Sequence, residues 1–183
     1  RVFIPAAQTV RQEDAAAFIV GPDLAHLVSL DSEWYFWLRY ILVNAGQYID
    51  IVSHHIYTSE AVIYLYELLE QGETLIPAVV DVVADAGHGN KPFWITETGW
   101  HTQAVSEEVQ ANRYLEMLQK RRQKSYPDKI FFYEIIDDPS PGIMPWGILH
   151  SNLNAKPAYN AYRDFIAGLY TDGQIIEEEP EKK

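Results

Sequence analysis

The sequence contains no cysteine, and none of its 183 residues belongs to an apolar run of the roughly 18 residues that a membrane-spanning helix needs. The first absence excludes disulfide bonds, thiolate metal sites and cysteine nucleophiles. Basic residues are also few, since 14 Lys and Arg stand against 26 Asp and Glu and leave a formal net charge of -12. Because phosphate binding needs clustered basic side chains, this balance argues against nucleic acid and against a basic helix on a membrane surface.

The two ends of the sequence lack structural signals. The chain opens at Arg1-Val2-Phe3 with neither an initiator methionine nor a signal peptide, so we expect it to start part-way along a longer sequence. At the other end, 177–183 is rich in charge. We therefore assign 171–183 to an acidic, disordered tail and 1–170 to one folded domain.

Aromatic residues, in contrast, are abundant: there are 12 Tyr, 7 Phe and 5 Trp. One interpretation is a large aromatic core. The other is a cleft lined with flat rings, which suits the apolar faces of sugars. Both interpretations stay open at this point.

Short, continuously apolar segments alternate with segments of helical periodicity. The predicted strands occupy 17–22, 48–53, 91–96 and 129–133, and the first is expected to stop at its Gly-Pro pair. The predicted helices occupy 5–14, 34–45, 59–71, 76–86, 106–124 and 157–169, with Ser106 as the cap of the fifth. This alternation predicts an α/β fold with a parallel sheet covered by helices.

The spacing of the strands is close to the unit of a (β/α)8 TIM barrel. Only four units are present, whereas a complete barrel takes about 250 residues. The sequence therefore predicts about half of such a barrel. A doubly wound open sheet is the alternative, although no glycine-rich phosphate loop supports a nucleotide site.

Ligands of parallel α/β folds bind at the carboxyl ends of the strands, and Glu97 lies at such an end. It follows the apolar residues Phe93-Trp94-Ile95 and precedes Gly99, which we expect to let the backbone turn. The functional interpretation is a nucleophile or an acid/base. The structural alternative is a glutamate that pairs with an arginine or a helix end.

A second polar strand end is Ser53-His54-His55-Ile56-Tyr57. Alternation along a strand directs His55 and Tyr57 to one face and His54 to the other. An inward pair of His55 and Tyr57 could bind a carboxylate and a sugar hydroxyl, and a satisfied core histidine is the alternative. Adjacent histidines on a strand point apart and so cannot easily share one metal ion. We expect no metal and no cofactor.

A third strand end begins at Tyr133 and continues to Asp137, and Trp146 follows it. Tyr133 and Trp146 are candidate platforms on which a sugar could stack. Glu134 and Asp137 are interpreted either as ligands of sugar hydroxyls or as residues that hold the loops.

In this order, the segments resemble the retaining glycoside hydrolases of the large (β/α)8 clan that includes cellulases, xylosidases and β-glucanases. The resemblance covers roughly 17–167 and implies strands 5–8, the C-terminal half of the barrel. The segments that carry it are Val20–Asp23 for strand 5, Asp50–Ser53 with His55 and Tyr57 for strand 6, Ile95–Trp100 for strand 7, and Tyr133–Asp137, Trp146–Leu149 and Lys156–Tyr159 for strand 8 and the closing helix.

The resemblance implies retaining hydrolysis of O-glycosidic bonds with Glu97 as the nucleophile. Tyr57 would hydrogen-bond Glu97, and His55 would contact the sugar. Trp100, Tyr133 and Trp146 would also bind an oligo- or polysaccharide substrate. Secretion is favoured only by analogy with the family.

The second carboxyl group of such an enzyme has no match in this sequence. In the family it usually follows an asparagine at the end of strand 4, and the sequence contains no Asn-Glu pair. We therefore expect the chain alone to be inactive. Its two outer strands would leave open sheet edges, which predicts a homodimer or pairing with the missing half. The alternative function is a non-catalytic carbohydrate-binding or scaffold module.

Overall fold

The structure, a computed structural model, describes residues 2–25, 33–57, 62–72 and 75–168. Contacts divide these residues into two units. Unit 1 contains 2–25, 33–56, 63–72, 75–97 and 126–130, and unit 2 contains 57, 62, 98–125 and 131–168. The predicted tail at 171–183 lies outside the described residues.

The described residues form four strands and six α-helices. The strands are β1 (Val20–Ala25), β2 (Ile51–His55), β3 (Phe93–Thr98) and β4 (Lys129–Phe132). The helices are α1 (Phe3–Glu13), α2 (Trp34–Ala45), α3 (Val62–Glu70), α4 (Val79–Asp85), α5 (Glu107–Gln123) and α6 (Pro157–Ile166). None of these helices has the length and hydropathy that crossing a membrane requires.

The strands form one sheet in the order β1-β2-β3-β4. The first two pairings are parallel, with Val20 opposite Ile51 and Val52 opposite Phe93. Chain order therefore equals spatial order, which is the arrangement of consecutive strands in a TIM barrel. The predicted α/β fold with a partial barrel is confirmed.

The first two strands begin about three residues later than predicted. Just before β1, the Ile19 amide donates to the side chain of Asp50, at 2.7 Å from Oδ2, while the Ile19 carbonyl accepts from the Asp50 amide at 2.9 Å. The prediction that β1 stops at its Gly-Pro pair is wrong, since β1 continues through Pro22 to Ala25. Among the described residues β1 pairs only with β2, and an edge strand of this kind tolerates a proline such as Pro22.

The helices agree more closely with their predicted limits. Helix α2 has the predicted bounds, and Ser106 caps α5 by accepting a hydrogen bond from the Val109 amide at 3.2 Å. Helix α4 begins at Val79, three residues late, because a residue before a proline disfavours helical geometry and Ile76 precedes Pro77. Residues 59–61 of the third predicted helix and residue 169 of the last lie outside the described residues.

Each unit has its own apolar core. In unit 1, α2 buries Trp34, Leu38 and Leu42, which recur at helical spacing. Each fully buried leucine contributes about 1.5–3 kcal/mol. In unit 2, α5 packs against α6. The buried face of α5 consists of Ala111, Tyr114, Leu115, Met117 and the amide of Gln110.

Candidate active site

Three neighbouring strands of unit 1 each contribute one ionisable residue to a cluster near their carboxyl ends. These residues are Asp23 on β1, His55 on β2 and Glu97 on β3. The predicted pair of His55 and Glu97 is thus brought together, and Asp23 joins it. All three side chains are about one-third exposed, so solvent and ligands can reach them.

An irregularity in the sheet places Glu97 beside His55. In the ladder His54 is opposite Ile95, but His55 is opposite Glu97, so Thr96 is an extra residue on β3. A regular register would have put Thr96 there instead. As a result, His55 Nδ1 lies 3.1 Å from Glu97 Oε2, and the Ile56 amide donates to the Glu97 carbonyl at 2.9 Å.

Asp23 is a member of this cluster that the sequence did not single out. It interrupts the ladder between Pro22 and Leu24 and has a φ of 55°, a conformation that aspartate tolerates better than most residues. Its Oδ1 accepts a hydrogen bond from the Thr96 hydroxyl and lies 3.6 Å from His55 Nε2. The available signal was its position after an apolar strand, the same rule that identified Glu97.

His54 lies on the opposite face of β2, as strand alternation predicts. It is fully buried, and its ring centroid lies 5.6 Å from that of Trp34. The tandem histidines therefore do not face one ion. Within 2–25, 33–57, 62–72 and 75–168, no group of three or more His, Asp or Glu residues could hold a metal.

Unit 2 contains an aromatic cavity of about 150 Å³. Its walls include Tyr57, Trp100, His101 and Trp146, with Arg113 at one side. The Trp146 ring centroid lies 5.0 Å from that of Tyr57 and 4.7 Å from that of His101. Of the aromatic residues predicted to bind substrate, Tyr57 and Tyr133 both lie near Trp146, and the Tyr133 ring centroid is 6.1 Å from that of Trp146.

Trp100 differs from the other predicted platforms because it is only 3% exposed. Its ring packs edge-on against Tyr114 of α5, with 6.1 Å between centroids. Most of this side chain therefore belongs to the core of unit 2. Its predicted part in substrate binding stays a prediction.

Two side chains hold the loops that carry these rings, and sequence reasoning did not assign the first of them. Gln110 is buried, and its Nε2 lies 2.7 Å from the Trp100 carbonyl and 3.3 Å from those of Trp146 and Gly147. Asp137 accepts from the Gly147 amide at 2.8 Å. These contacts tie the segment after β3 to the segment around Trp146.

A buried cation completes this arrangement. Lys156 is 1% exposed, and its Nζ lies 2.9 Å from Asp137 Oδ1 and 2.8 Å from Oδ2. Of the two interpretations of Asp137, the structure thus supports the one in which it holds a loop. Burial raises the pKa of Glu134, and the charges of Asp138 and Asp137 add to that effect, while a hydrogen bond with Tyr133 opposes it.

Gly99 is needed for close approach between backbones. A Cβ at this position would lie 2.3 Å from the Tyr133 carbonyl oxygen. The Tyr133 amide also donates to the Thr98 carbonyl at 2.7 Å, so the two segments are closely paired. The structure thus gives a steric reason for Gly99, and the sharp turn expected there stays a prediction.

The predicted site residues fall into different units. His55 and Glu97 belong to unit 1, whereas Tyr57, Trp100, Tyr133 and Trp146 belong to unit 2. The hydrogen bond expected between Tyr57 and Glu97 stays a prediction.

Comparison with solved structures identifies the fold. A glucosidase from Croceicoccus marinus superposes with a TM-score of 0.64 at 18% identity, over 86% of this chain and 33% of that one. A β-galacturonidase of family GH2 from Eisenbergiella tayi gives 0.61 at 19% identity, over 97% and 31%. Xylanase 10B from Thermotoga maritima gives 0.57 at 15% identity, over 91% and 52%.

The chain has part of the barrel fold of glycoside hydrolases. It spans between about a third and a half of the length of those three structures. No protein-family model and no curated protein sequence matches it. The resemblance inferred from the strand-end motifs is thus confirmed at the level of fold.

Proposed function

We propose that this chain supplies the nucleophile of a retaining O-glycoside hydrolase, and that Glu97 is that nucleophile. The observation that carries the proposal is the contact between Glu97 Oε2 and His55 Nδ1 at the carboxyl ends of adjacent parallel strands. Active sites of barrel enzymes lie at this end of the sheet. The Glu97 side chain is also about one-third exposed, so a substrate can reach its carboxylate.

In the proposed reaction, Glu97 attacks the anomeric carbon while the bond to the leaving oxygen breaks. A covalent glycosyl-enzyme forms, and water then releases the sugar. The aromatic side chains of unit 2, Tyr57, Tyr133 and Trp146, would contact the apolar faces of an oligo- or polysaccharide. The sugar class is open, and the solved structures of similar fold include a xylanase, a glucosidase and a β-galacturonidase.

A second carboxyl group is needed to protonate a poor leaving group. The proposal does not assign this acid/base within the 183 residues, because the sequence has no Asn-Glu pair. We therefore propose that the chain by itself does not turn over unactivated glycosides. An acidic leaving group such as dinitrophenolate departs without a proton, so it tests the nucleophile alone.

The experiment is to incubate the protein with a panel of 2-deoxy-2-fluoro glycosides that carry dinitrophenolate, and to map adducts by peptide mass spectrometry. We expect one covalent sugar on Glu97 and none in Glu97→Gln. Glu13→Gln, which changes an exposed carboxylate of the same unit, is the matched control and should still be labelled. An adduct on another carboxylate would refute the assignment of Glu97.

A non-catalytic carbohydrate-binding module is the competing function. The aromatic cavity formed by Tyr57, Trp100, His101 and Trp146 favours it, because such a cavity binds a sugar without any nucleophile. Absence of an adduct across the whole panel, together with saturable binding of an oligosaccharide, would support this function instead.

We also propose that the open edge of β1 pairs with another polypeptide strand. Among the described residues β1 has a neighbour on one side only, and Phe18 just before it is 75% exposed. Exposed edges of this kind favour pairing. Sedimentation velocity over a range of concentrations should show association, and a monomer at every concentration would contradict it.

A further inference from the structure

The carboxylate of Asp23 has no part in the proposed attack, yet its position is well determined. It lies at the irregularity of β1, where the backbone φ is 55°. The Thr96 hydroxyl on β3 donates to its Oδ1, so a second strand fixes the direction of the carboxylate. Asp23 thus faces His55 from the side opposite Glu97.

The ring of His55 lies between two carboxylates. Nδ1 is 3.1 Å from Glu97 Oε2, and Nε2 is 3.6 Å from Asp23 Oδ1. A neutral imidazole has one N–H and one lone pair, so it would direct that lone pair at one of the two anions. An imidazolium presents an N–H to each of them.

The described ion-pair contacts of the His55 ring include no Lys or Arg side chain. The charged groups that face His55 are Asp23 from β1 and Glu97 from β3. On β2 itself, the neighbouring His54 points to the other face of the sheet, against Trp34. Both facing charges therefore favour the same protonation state of His55.

We propose that Asp23 is a positioning residue, which keeps His55 doubly protonated and its Nδ1–H directed at Glu97. The inference rests on the proposed function only in that it takes Glu97 as the reacting group. Asp23 is not the second catalytic carboxylate, because its Oδ1 is engaged by the Thr96 hydroxyl and faces His55. Its effect on catalysis passes through His55.

The test is long-range ¹H–¹⁵N spectroscopy of the imidazole groups in the ¹⁵N-labelled 183-residue chain at neutral pH, with His55 assigned from His55→Gln. Asp23→Asn keeps the acceptor for Thr96 and removes only the charge. Partly exposed pairs contribute about 0.2–1 kcal/mol, so the ratio of doubly protonated to neutral His55 should fall about two- to fivefold. Thr96→Val frees the carboxylate without removing its charge and should give a smaller fall.

The matched control is Asp85→Asn, which removes an exposed carboxylate from α4 of the same unit. It should leave the His55 spectrum as it is in the unsubstituted chain. Equal spectra for Asp23→Asn and the unsubstituted chain, with both folded by circular dichroism, would overturn the inference. Equal changes in Asp23→Asn and Asp85→Asn would also overturn it, because they would show a general charge effect.

Fluorosugar labelling separates this inference from the proposed function. If both hold, Asp23→Asn labels at Glu97 but about two- to fivefold more slowly. If His55 responds to Asp23 while no variant is labelled, the positioning contact stands and the proposed function fails. If Glu97 is labelled at the same rate and His55 is unchanged in Asp23→Asn, the function stands and the inference fails.

Discussion

The two units hold their candidate site residues by different means. In unit 1 the positions of Asp23, His55 and Glu97 follow from strand register, including irregularities at Asp23 and Thr96. In unit 2 the aromatic rings lie on loops, which side chains such as Gln110 and Asp137 attach to backbone groups. Strand register fixes side-chain positions more precisely than loops do, so the candidate nucleophile lies on the more rigid of the two supports.

The largest effect is expected from Lys156→Met in unit 2. It would leave Asp137, which is 12% exposed, without the cation that lies 2.8 Å away. Breaking a buried pair from one side costs about 3–5 kcal/mol. Urea denaturation should show this loss, and the double variant with Asp137→Leu should recover part of it. A loss below about 1 kcal/mol would mean that the loop does not depend on the pair.

A smaller loss is expected from Gly99→Ala. The new methyl group would meet the Tyr133 carbonyl at 2.3 Å and force the paired segments apart, at a cost of about 1–3 kcal/mol. Gly87→Ala gives a useful contrast, because its Cβ would meet nothing within 4 Å and its penalty would come from its φ of 84° alone. Unchanged thermal stability of Gly99→Ala would contradict the steric reason for this glycine.

Gln110→Leu tests whether one side chain holds both loops of unit 2. It removes the donor to the Trp100, Trp146 and Gly147 carbonyls, at about 1–2 kcal/mol. Tryptophan fluorescence should shift, while the His55 signals of unit 1 should not. Gln123→Leu, at an exposed position of the same helix, is the control and should stay within about 0.5 kcal/mol. A change in the His55 signals of Gln110→Leu would contradict the view that the two units hold their site residues independently.

The smallest effect is expected from Asp50→Asn in unit 1, directly before β2, and it should depend on pH. Burial raises the pKa of Asp50, but the Arg11 hydrogen bond and charge, with the Ile19 amide and Lys91, hold it below its ordinary value. Its contribution is therefore present above the unfolded-state pKa and is lost as the pH falls through the folded-state pKa. Asp50→Asn should lower stability by about 0.2–1 kcal/mol at neutral pH and by less in acid, as thermal melts at both pH values would show. An equal loss at both values would contradict this linkage.

Local sequence signals predicted much of the fold, because they depend on neighbours in the chain. The helix α5 was predicted from its cap and its periodic pattern, and the cap contact between Ser106 and the Val109 amide is local. Glu97 was predicted because a carboxylate that directly follows an apolar strand of a parallel sheet lies at the edge where ligands bind. The strand limits were less accurate, since the bond from Ile19 to Asp50 spans distant residues.

The rest of the site depends on contacts that no local pattern contains. The extra residue Thr96 in the ladder is visible only when β2 and β3 are paired, and it decides what lies opposite His55. Asp23 follows an apolar segment, as Glu97 does. Its carboxylate, however, is oriented by a hydrogen bond from Thr96, which is far away in sequence. Gln110 looked like one more polar residue of an amphipathic helix, although it is fully buried against three carbonyls.

The amide of Gln110 has two hydrogens and three carbonyl oxygens within reach. The two hydrogens must therefore be shared, and a small displacement of either loop exchanges one acceptor for another at little cost in energy. The two loops can therefore move slightly relative to each other without losing their attachment to Gln110. The segment that carries Trp146 can thus shift slightly while it remains attached, through Gln110, to Trp100, which follows the candidate nucleophile by three positions.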